Sequence, residues 1–258
     1  MSGVAEELLA RWQLTPDGDP VTGHSSQLLP VRTGAGAAAM LKVGGSPVEH
    51  LALRRWDGDG AARLLRADPP RRALLIERLG RDLRSVPDDE ACEVIAGLYR
   101  RLHVPVHPKL PSLSAEVERR AAELAALPRN AAVPHRLVEQ AVTLSRELAG
   151  GRDTAVLHGN LHAGTVLAGE RVPWLAVGPD PCNGDPPAEL APMLLHAAGE
   201  RSDDLRAAIR RRFFALVDAA GFDEERARAW VVVRSVHAAL ADPARMTAGV
   251  AVAKAVQG

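Results

Sequence analysis

The sequence predicts an α+β fold in two lobes, a small sheet-containing lobe over residues 1–80 and a larger, mainly helical lobe over residues 81–258. Three observations carry this. Most strand signals lie in the first 80 or so residues, whereas from about Pro87 onward apolar side chains recur with helical period. The composition leans on Ala, Arg and Leu with only 3% aromatics, which suits helices.

Residues 27–31 and 37–43 read as two strands of a hairpin, because Thr33-Gly34-Ala35-Gly36 between them is turn chemistry. Residues 47–53 predict a short helix, ended by the two glycines of Trp56-Asp57-Gly58-Asp59-Gly60. The apolar run 73–76 predicts a buried strand, and residues 77–82 connect the lobes. Beyond Pro87, Val94, Ile95, Leu98 and Leu102 share a helical face. So do Leu137, Ala141, Leu144 and Leu148, with Pro134 suited to the first turn and Gly150 to the stop. Ser202-Asp203-Asp204 caps a helix ending near Gly221, and 223–240 forms the next. Two short apolar runs, 155–157 and 174–177, bracket a loop between these helices.

With 47% hydrophobic residues the chain can bury a substantial core. Lys plus Arg equals Asp plus Glu at 32 each, so no overall field favours nucleic acid or an anionic membrane, and the expected ligand is a small molecule or a protein. The first seven residues are acidic, without a basic segment followed by an apolar one, and no run approaches a membrane-spanning length. The expected location is cytoplasmic. Cys92 and Cys182 stand far apart in no metal-like cluster and are expected as free thiols. The chain has no internal repeat of fixed period.

The bracketed loop, His158-Gly159-Asn160-Leu161-His162-Ala163-Gly164-Thr165-Val166-Leu167, resembles the catalytic loop of the aminoglycoside phosphotransferase family. That family's pattern is His-Gly-Asp-Leu-His-x-Gly-Asn-Val-Leu, in which the Asp accepts the substrate hydroxyl proton and the Asn binds magnesium. Here Asn160 stands for the Asp and Thr165 for the Asn. His158 and His162 are four apart, a zinc spacing only on a helix; Gly159 and the bracketing strands argue for a loop, and no third ligand is evident.

The wider match is to the streptomycin and hydroxyurea kinase branch and covers nearly the whole chain. Leu14-Thr15-Pro16-Asp17-Gly18, Thr22-Gly23-His24-Ser25-Ser26 and Met40-Leu41-Lys42-Val43 resemble the first strands of that branch in the same order. The segment from Glu49 through Trp56-Asp57-Gly58-Asp59-Gly60-Ala61 is similar to its Glu-containing helix and the Trp-x-Gly-x-Gly-Ala turn after it. Gly184-Asp185-Pro186-Pro187-Ala188-Glu189-Leu190-Ala191-Pro192 is similar to the segment after its metal site.

The resemblance implies a protein-kinase-like fold with ATP between the lobes. Lys42 would reach the nucleotide phosphates and Glu49 would hold its ammonium in place. Read alone, both are ordinary solvated charges. Ser25 and Ser26, with His24, fall at the phosphate-covering turn, although there is no Gly-x-Gly-x-x-Gly and no Walker sequence. Backbone groups around Glu77 and Leu79 would meet adenine.

Three chemical groups depart from the family pattern. The Asn160 amide has negligible basicity and can orient an alcohol but not take its proton. The Thr165 hydroxyl is a shorter-reaching magnesium ligand than an amide oxygen. The family's metal-binding Asp follows an apolar strand, and the matching residue in Val177-Gly178-Pro179-Asp180-Pro181 is Gly178, with no side chain. Asp180, two residues on, either bends back to serve as the metal ligand or is a turn residue between two prolines. Asp185 would cap the following helix.

Two readings of function follow: a pseudokinase with phosphotransfer lost or strongly reduced, or an active small-molecule kinase using Asn160 for orientation and Asp180 or Asp185 for metal. A polycationic acceptor would need an acidic pocket, for which Asp185, Glu189, Glu200, Asp203 and Asp204 are the candidates, some of them also reading as helix caps.

Overall fold

The computed structural model describes residues 3–23, 25–199 and 204–257. Helix α1 (Gly3–Trp12) precedes two short strands, β1 (Thr15–Pro16) and β2 (Val21–Thr22), and then the predicted hairpin, β3 (Ser26–Arg32) and β4 (Ala38–Gly44). Helix α2 (Glu49–Trp56) leads into β5 (Leu64–Asp68) and β6 (Ala73–Glu77). These strands form one antiparallel sheet in the order β1-β3-β4-β6-β5, with β2 also paired to β3.

Alternation along β4 decides which chemistry faces which side. Ala39 and Leu41 pack with Leu8 and Trp12 of α1 and with Leu29, Val31 and Leu75 in a closed apolar layer. Helix α1 was not foreseen; its buried Ala5, Leu8 and Trp12 recur at helical spacing. Successive strand residues point to opposite faces, so Lys42 lies on the other side from Leu41, where α2 packs.

The remainder is mostly helical: α3 (Asp88–Leu102), α4 (Leu113–Ala125), α5 (His135–Ala149), α6 (Leu190–Ala197), α7 (Leu205–Ala220), α8 (Glu224–Ala241) and α9 (Met246–Ala255). Three acids in the first turn of α3 favour its N-terminus. Asp204 caps α7 by accepting from the Ala207 N–H at 2.9 Å, and Asp223 caps α8 at the Arg226 N–H, 2.8 Å. The other proposed cap residues, Ser202 and Asp203, lie outside the described residues. Pro134 takes the residue just before α5 rather than its first turn.

Between α5 and α6 run β7 (Ala155–Leu157), β8 (Val166–Ala168), β9 (Trp174–Ala176) and β10 (Cys182–Gly184), as two antiparallel pairs, β7 with β10 and β8 with β9. The predicted loop therefore sits between strands. A large core joins α2 and β6 to α3, α6, α7 and α8 through Leu53, Ile76, Tyr99, Leu194, Phe213 and Val231. Among the described residues no helix is long and apolar enough to cross a membrane. Cys92 and Cys182 are free thiols.

Candidate functional site

Lys42 and Glu49 form an ion pair at 2.6 Å, with Lys42 6% and Glu49 1% exposed. Burial pushes the Glu49 carboxyl up from its ordinary pKa, and the adjoining ammonium opposes that shift. The turn after β4 closes over the pair: the Gly45 N–H donates to the Ser25 carbonyl at 2.9 Å, and the Arg72 guanidinium donates to the Gly45 carbonyl. Ser25 is exposed and Ser26 half-buried at this edge; His24 lies outside the described residues. At the interlobe connection the Glu77 carboxylate pairs with Arg171 at 2.8 Å and accepts the Arg63 N–H at 2.7 Å. The Glu77 N–H donates to the Arg63 carbonyl, whereas no carbonyl among the described residues accepts the N–H of Leu79.

The loop after β7 is held by groups behind it. Buried Glu189 accepts the His158 N–H at 2.8 Å and the Gly159 N–H at 2.7 Å, one on each carboxylate oxygen. Arg234 of α8 donates to the carbonyls of Ala188 (3.2 Å) and Gly159 (3.0 Å), and the Tyr99 hydroxyl donates to the Glu189 carbonyl at 3.1 Å. The His158 ring is fully buried and stacks on Trp56, 6.0 Å between centroids, whose indole N–H reaches the Leu102 carbonyl at 2.8 Å. Burial, with the neighbouring His162 next, lowers the His158 pKa to about 3, so this ring is neutral. Gly159 has φ +78°, and a Cβ there would collide with the Asp180 carbonyl oxygen, so only glycine fits.

The three substituted positions are brought together at one place. Asn160 is half-buried, and its side chain makes no hydrogen bond to a described residue. The Thr165 hydroxyl is turned to the loop's own backbone: it accepts the His162 N–H at 3.0 Å and lies 2.9 Å from the Asn160 carbonyl and 3.0 Å from that of His162, donating its one proton there. That is a role in tying the loop rather than in holding a metal. Gly178 follows β9 with φ +64°, and a Cβ built on it would lie 4.0 Å from Lys42 Nζ. At this position, where the family's pattern has a carboxylate, hydrogen alone faces Lys42.

Asp180 is exposed; its N–H donates to the His158 carbonyl at 2.9 Å, and its charge acts on Glu49 to raise that carboxyl's pKa. Asp185 is no metal ligand, because its carboxylate is buried and engaged at 2.5 Å by both Arg226 and the Trp230 indole N–H. Among the described residues no group of three or more His, Cys, Asp and Glu is arranged to hold a metal, the His158 and His162 pair included. An ammonium held by a buried carboxylate, as Lys42 is by Glu49, can meet a phosphate group, while of the side-chain oxygens the family pattern would add for magnesium, one is absent at Gly178 and that of Thr165 bonds to the loop backbone.

Asn160 opens on a cavity of about 800 Å³ between α4, α6 and α8, walled also by His162, Asp180, Arg120, Arg234 and His237. Of the acids anticipated for an acceptor pocket, none that is described lines this cavity. Asp185 and Glu189 are turned inward to structural partners, Asp204 is a helix cap, and Glu200 and Asp203 lie outside the described residues. Sequence reasoning missed Arg234 and the anchoring role of Glu189; the available signal for the latter was an acid placed directly before the wholly apolar start of α6.

Residues 11–244 match the model of the aminoglycoside/hydroxyurea antibiotic resistance kinase family. The chain is 39% identical over 263 residues to a streptomycin 6-kinase of Streptomyces glaucescens, across 94% of this chain and 83% of that protein. It is 38% identical over 252 residues to a hydroxyurea phosphotransferase of Kitasatospora aureofaciens, across 92% and 71%. Among solved structures, a choline kinase of Streptococcus pneumoniae superimposes with a TM-score of 0.64 at 14% identity, over 98% of this chain and 96% of that one, which supports the protein-kinase-like fold.

Proposed function

The chain belongs to the aminoglycoside/hydroxyurea antibiotic resistance kinase family, and we propose that within it this protein is a pseudokinase, with ATP-dependent phosphotransfer lost or strongly reduced and a ligand cleft retained. In this reading residues 1–80 face the nucleotide, residues 81–258 supply the acceptor side, and the protein works in the cytoplasm, where ATP is available. The observation that carries it is Gly178 opposite Lys42: the lysine and its glutamate partner are in place while the carboxylate that would bring a metal to the same phosphates is missing.

Asn160 adds to the deficit. Replacing a general base by an amide costs on the order of 10²- to 10⁴-fold, because phosphoryl transfer leans on positioning and charge as well as on proton removal. Loss of an anionic metal ligand removes charge stabilisation that the Thr165 hydroxyl, committed to the loop backbone, does not restore.

The test is thermal denaturation with ATP, with and without magnesium, beside turnover assays on streptomycin and hydroxyurea. ATP should stabilise the chain equally with and without magnesium, with no turnover, and Lys42→Met should abolish the ATP effect. The triple variant Asn160→Asp, Thr165→Asn, Gly178→Asp should gain magnesium dependence. Robust turnover by the unmodified chain would sink the proposal. A second reading, an active kinase that draws its metal to Asp180, is favoured by that residue's exposed carboxylate and its electrostatic reach to Glu49. In that case Asp180→Ala abolishes turnover.

A further inference from the structure

The cavity beside Asn160 has a charge pattern unsuited to a polycation. Among the described residues four guanidinium groups, Arg119, Arg120, Arg234 and Arg245, stand on its wall against two carboxylates, Glu116 and Asp180. Glu116 is already shared between Arg119 at 2.8 Å and Arg120 at 2.5 Å. Arg119 is further satisfied by Glu123, but Arg120 commits only its Nε, leaving its terminal nitrogens for a ligand.

Arg234 spends its terminal nitrogens on two carbonyls, which are neutral acceptors and leave its charge uncompensated. Among the described residues no carboxylate lies within ion-pair distance of it; Glu189, the buried acid that senses it, is turned to the His158 and Gly159 N–H groups. Among the described residues Arg245 pairs with Asp242 alone, at 3.7 Å.

His237 reports the resulting field. It is 8% exposed on the cavity wall, and its Nε2 has no hydrogen-bond partner. Its pKa is lowered to about 4, first by burial, then by Arg120 and Arg234, with Glu116 opposing and Arg119 adding to the effect.

We propose that this cavity binds a small organic anion, through a phosphate or carboxylate group held by Arg120 and Arg234 next to Asn160. Guanidinium groups suit both, because their planar forks match paired oxygens. The inference rests on reading the cavity as the acceptor side of the cleft, and not on whether turnover survives.

The test uses the full chain at constant ionic strength, with inorganic phosphate, succinate and streptomycin titrated separately by calorimetry and thermal shift. A saturable response to phosphate or succinate is expected, and which of the two binds more tightly identifies the anionic group. Arg120→Gln should raise the apparent Kd on the order of tenfold or more, the effect of one lost charge-assisted bond. Because Arg120 is half-buried on α4, the ligand-free melting temperature of that variant should stay near the parent value. Arg234→Gln also supports the loop, so its ligand-free melting curve is read first, and Arg245→Gln gives an exposed control with a smaller expected loss.

Lys42→Met should leave anion binding intact; if it removes the response, the anion was sitting at the nucleotide site and the proposal fails. It also fails if neither anion saturates, if Arg120→Gln binds both as the parent does, or if streptomycin binds more tightly than either. An ATP titration separates the two readings. ATP failing while the anions bind overturns only the nucleotide cleft, and the reverse overturns only the anion site.

Discussion

Glu189→Ala offers a direct measure of what holds the catalytic-type loop. The carboxylate accepts two N–H groups at 2.8 and 2.7 Å in a fully buried setting. Leaving two buried donors without acceptors costs about 1–3 kcal/mol each. Arg234 would also lose its electrostatic interaction with this buried acid, which lies beyond ion-pair distance. The two donors together set the loss near about 4 kcal/mol, the middle of their combined range, a fall in melting temperature of roughly 8–16 °C for a domain of this size. Urea unfolding at pH 7, followed by tryptophan fluorescence, should show a lower midpoint with an unchanged slope. Glu189→Gln should be intermediate, since one amide oxygen still accepts while the amide NH₂ faces the second donor. A loss below about 1 kcal/mol for the alanine variant would refute the assignment of Glu189 as the anchor.

Gly159→Ala should destabilise by at least about 2 kcal/mol, because the new methyl group meets the Asp180 carbonyl oxygen at positive φ; an unchanged melting curve would show that the loop can shift. The His103 pKa is lowered by burial to about 4, below its ordinary 6.5. Its neutral form therefore contributes stability that is fully present above about pH 6.5 and is lost as pH falls toward 4, with a slope of up to about 1.4 kcal/mol per unit. His103→Phe, which preserves the stack on Tyr99, should flatten the stability profile between pH 6.5 and 4.5 by that amount, as read from urea midpoints across the range.

The parts of the fold that were legible in the sequence are those with strong local periodicity. The hairpin of β3 and β4, the buried β6 and helices α3, α5, α7 and α8 all carry a clear apolar period or a capping residue. Helix α1 escaped because its buried stripe is short, and α6 because it is apolar all round, so no amphipathic contrast marks it. The candidate site residues were named through the order of motifs, and the contact of Glu49 with the Lys42 ammonium that the resemblance implied is present at 2.6 Å. Gly178 illustrates the limit most clearly. Its importance lies in the 4.0 Å between its missing Cβ and Lys42 Nζ, a relation between β4 and the end of β9 that no local pattern encodes. The cationic wall was equally hidden, since Arg120 and Arg234 lie on different helices and each reads alone as a solvated helix arginine.

The loop's architecture and its chemistry prove to rest on different atoms. Glu189, Arg234, Trp56 and Gly159 fix the path of the backbone, and none of them carries the reaction of the family's catalytic loop. At the three substituted positions the Asn160 side chain bonds to no described residue, Gly178 has no side chain, and Thr165 adds hydrogen bonds to the loop. Carboxylates at 160 and 178 would instead bring two more anions toward a cleft where burial and the charge of Asp180 already raise the Glu49 carboxyl's pKa against the pull of Lys42. The substituted loop is therefore compatible with the intact frame on energetic grounds, because the groups that would do chemistry are not the groups that hold it together. That separation allows a chain to keep the outline of the family's catalytic loop while Asn160, Thr165 and Gly178 stand where the pattern has Asp, Asn and Asp.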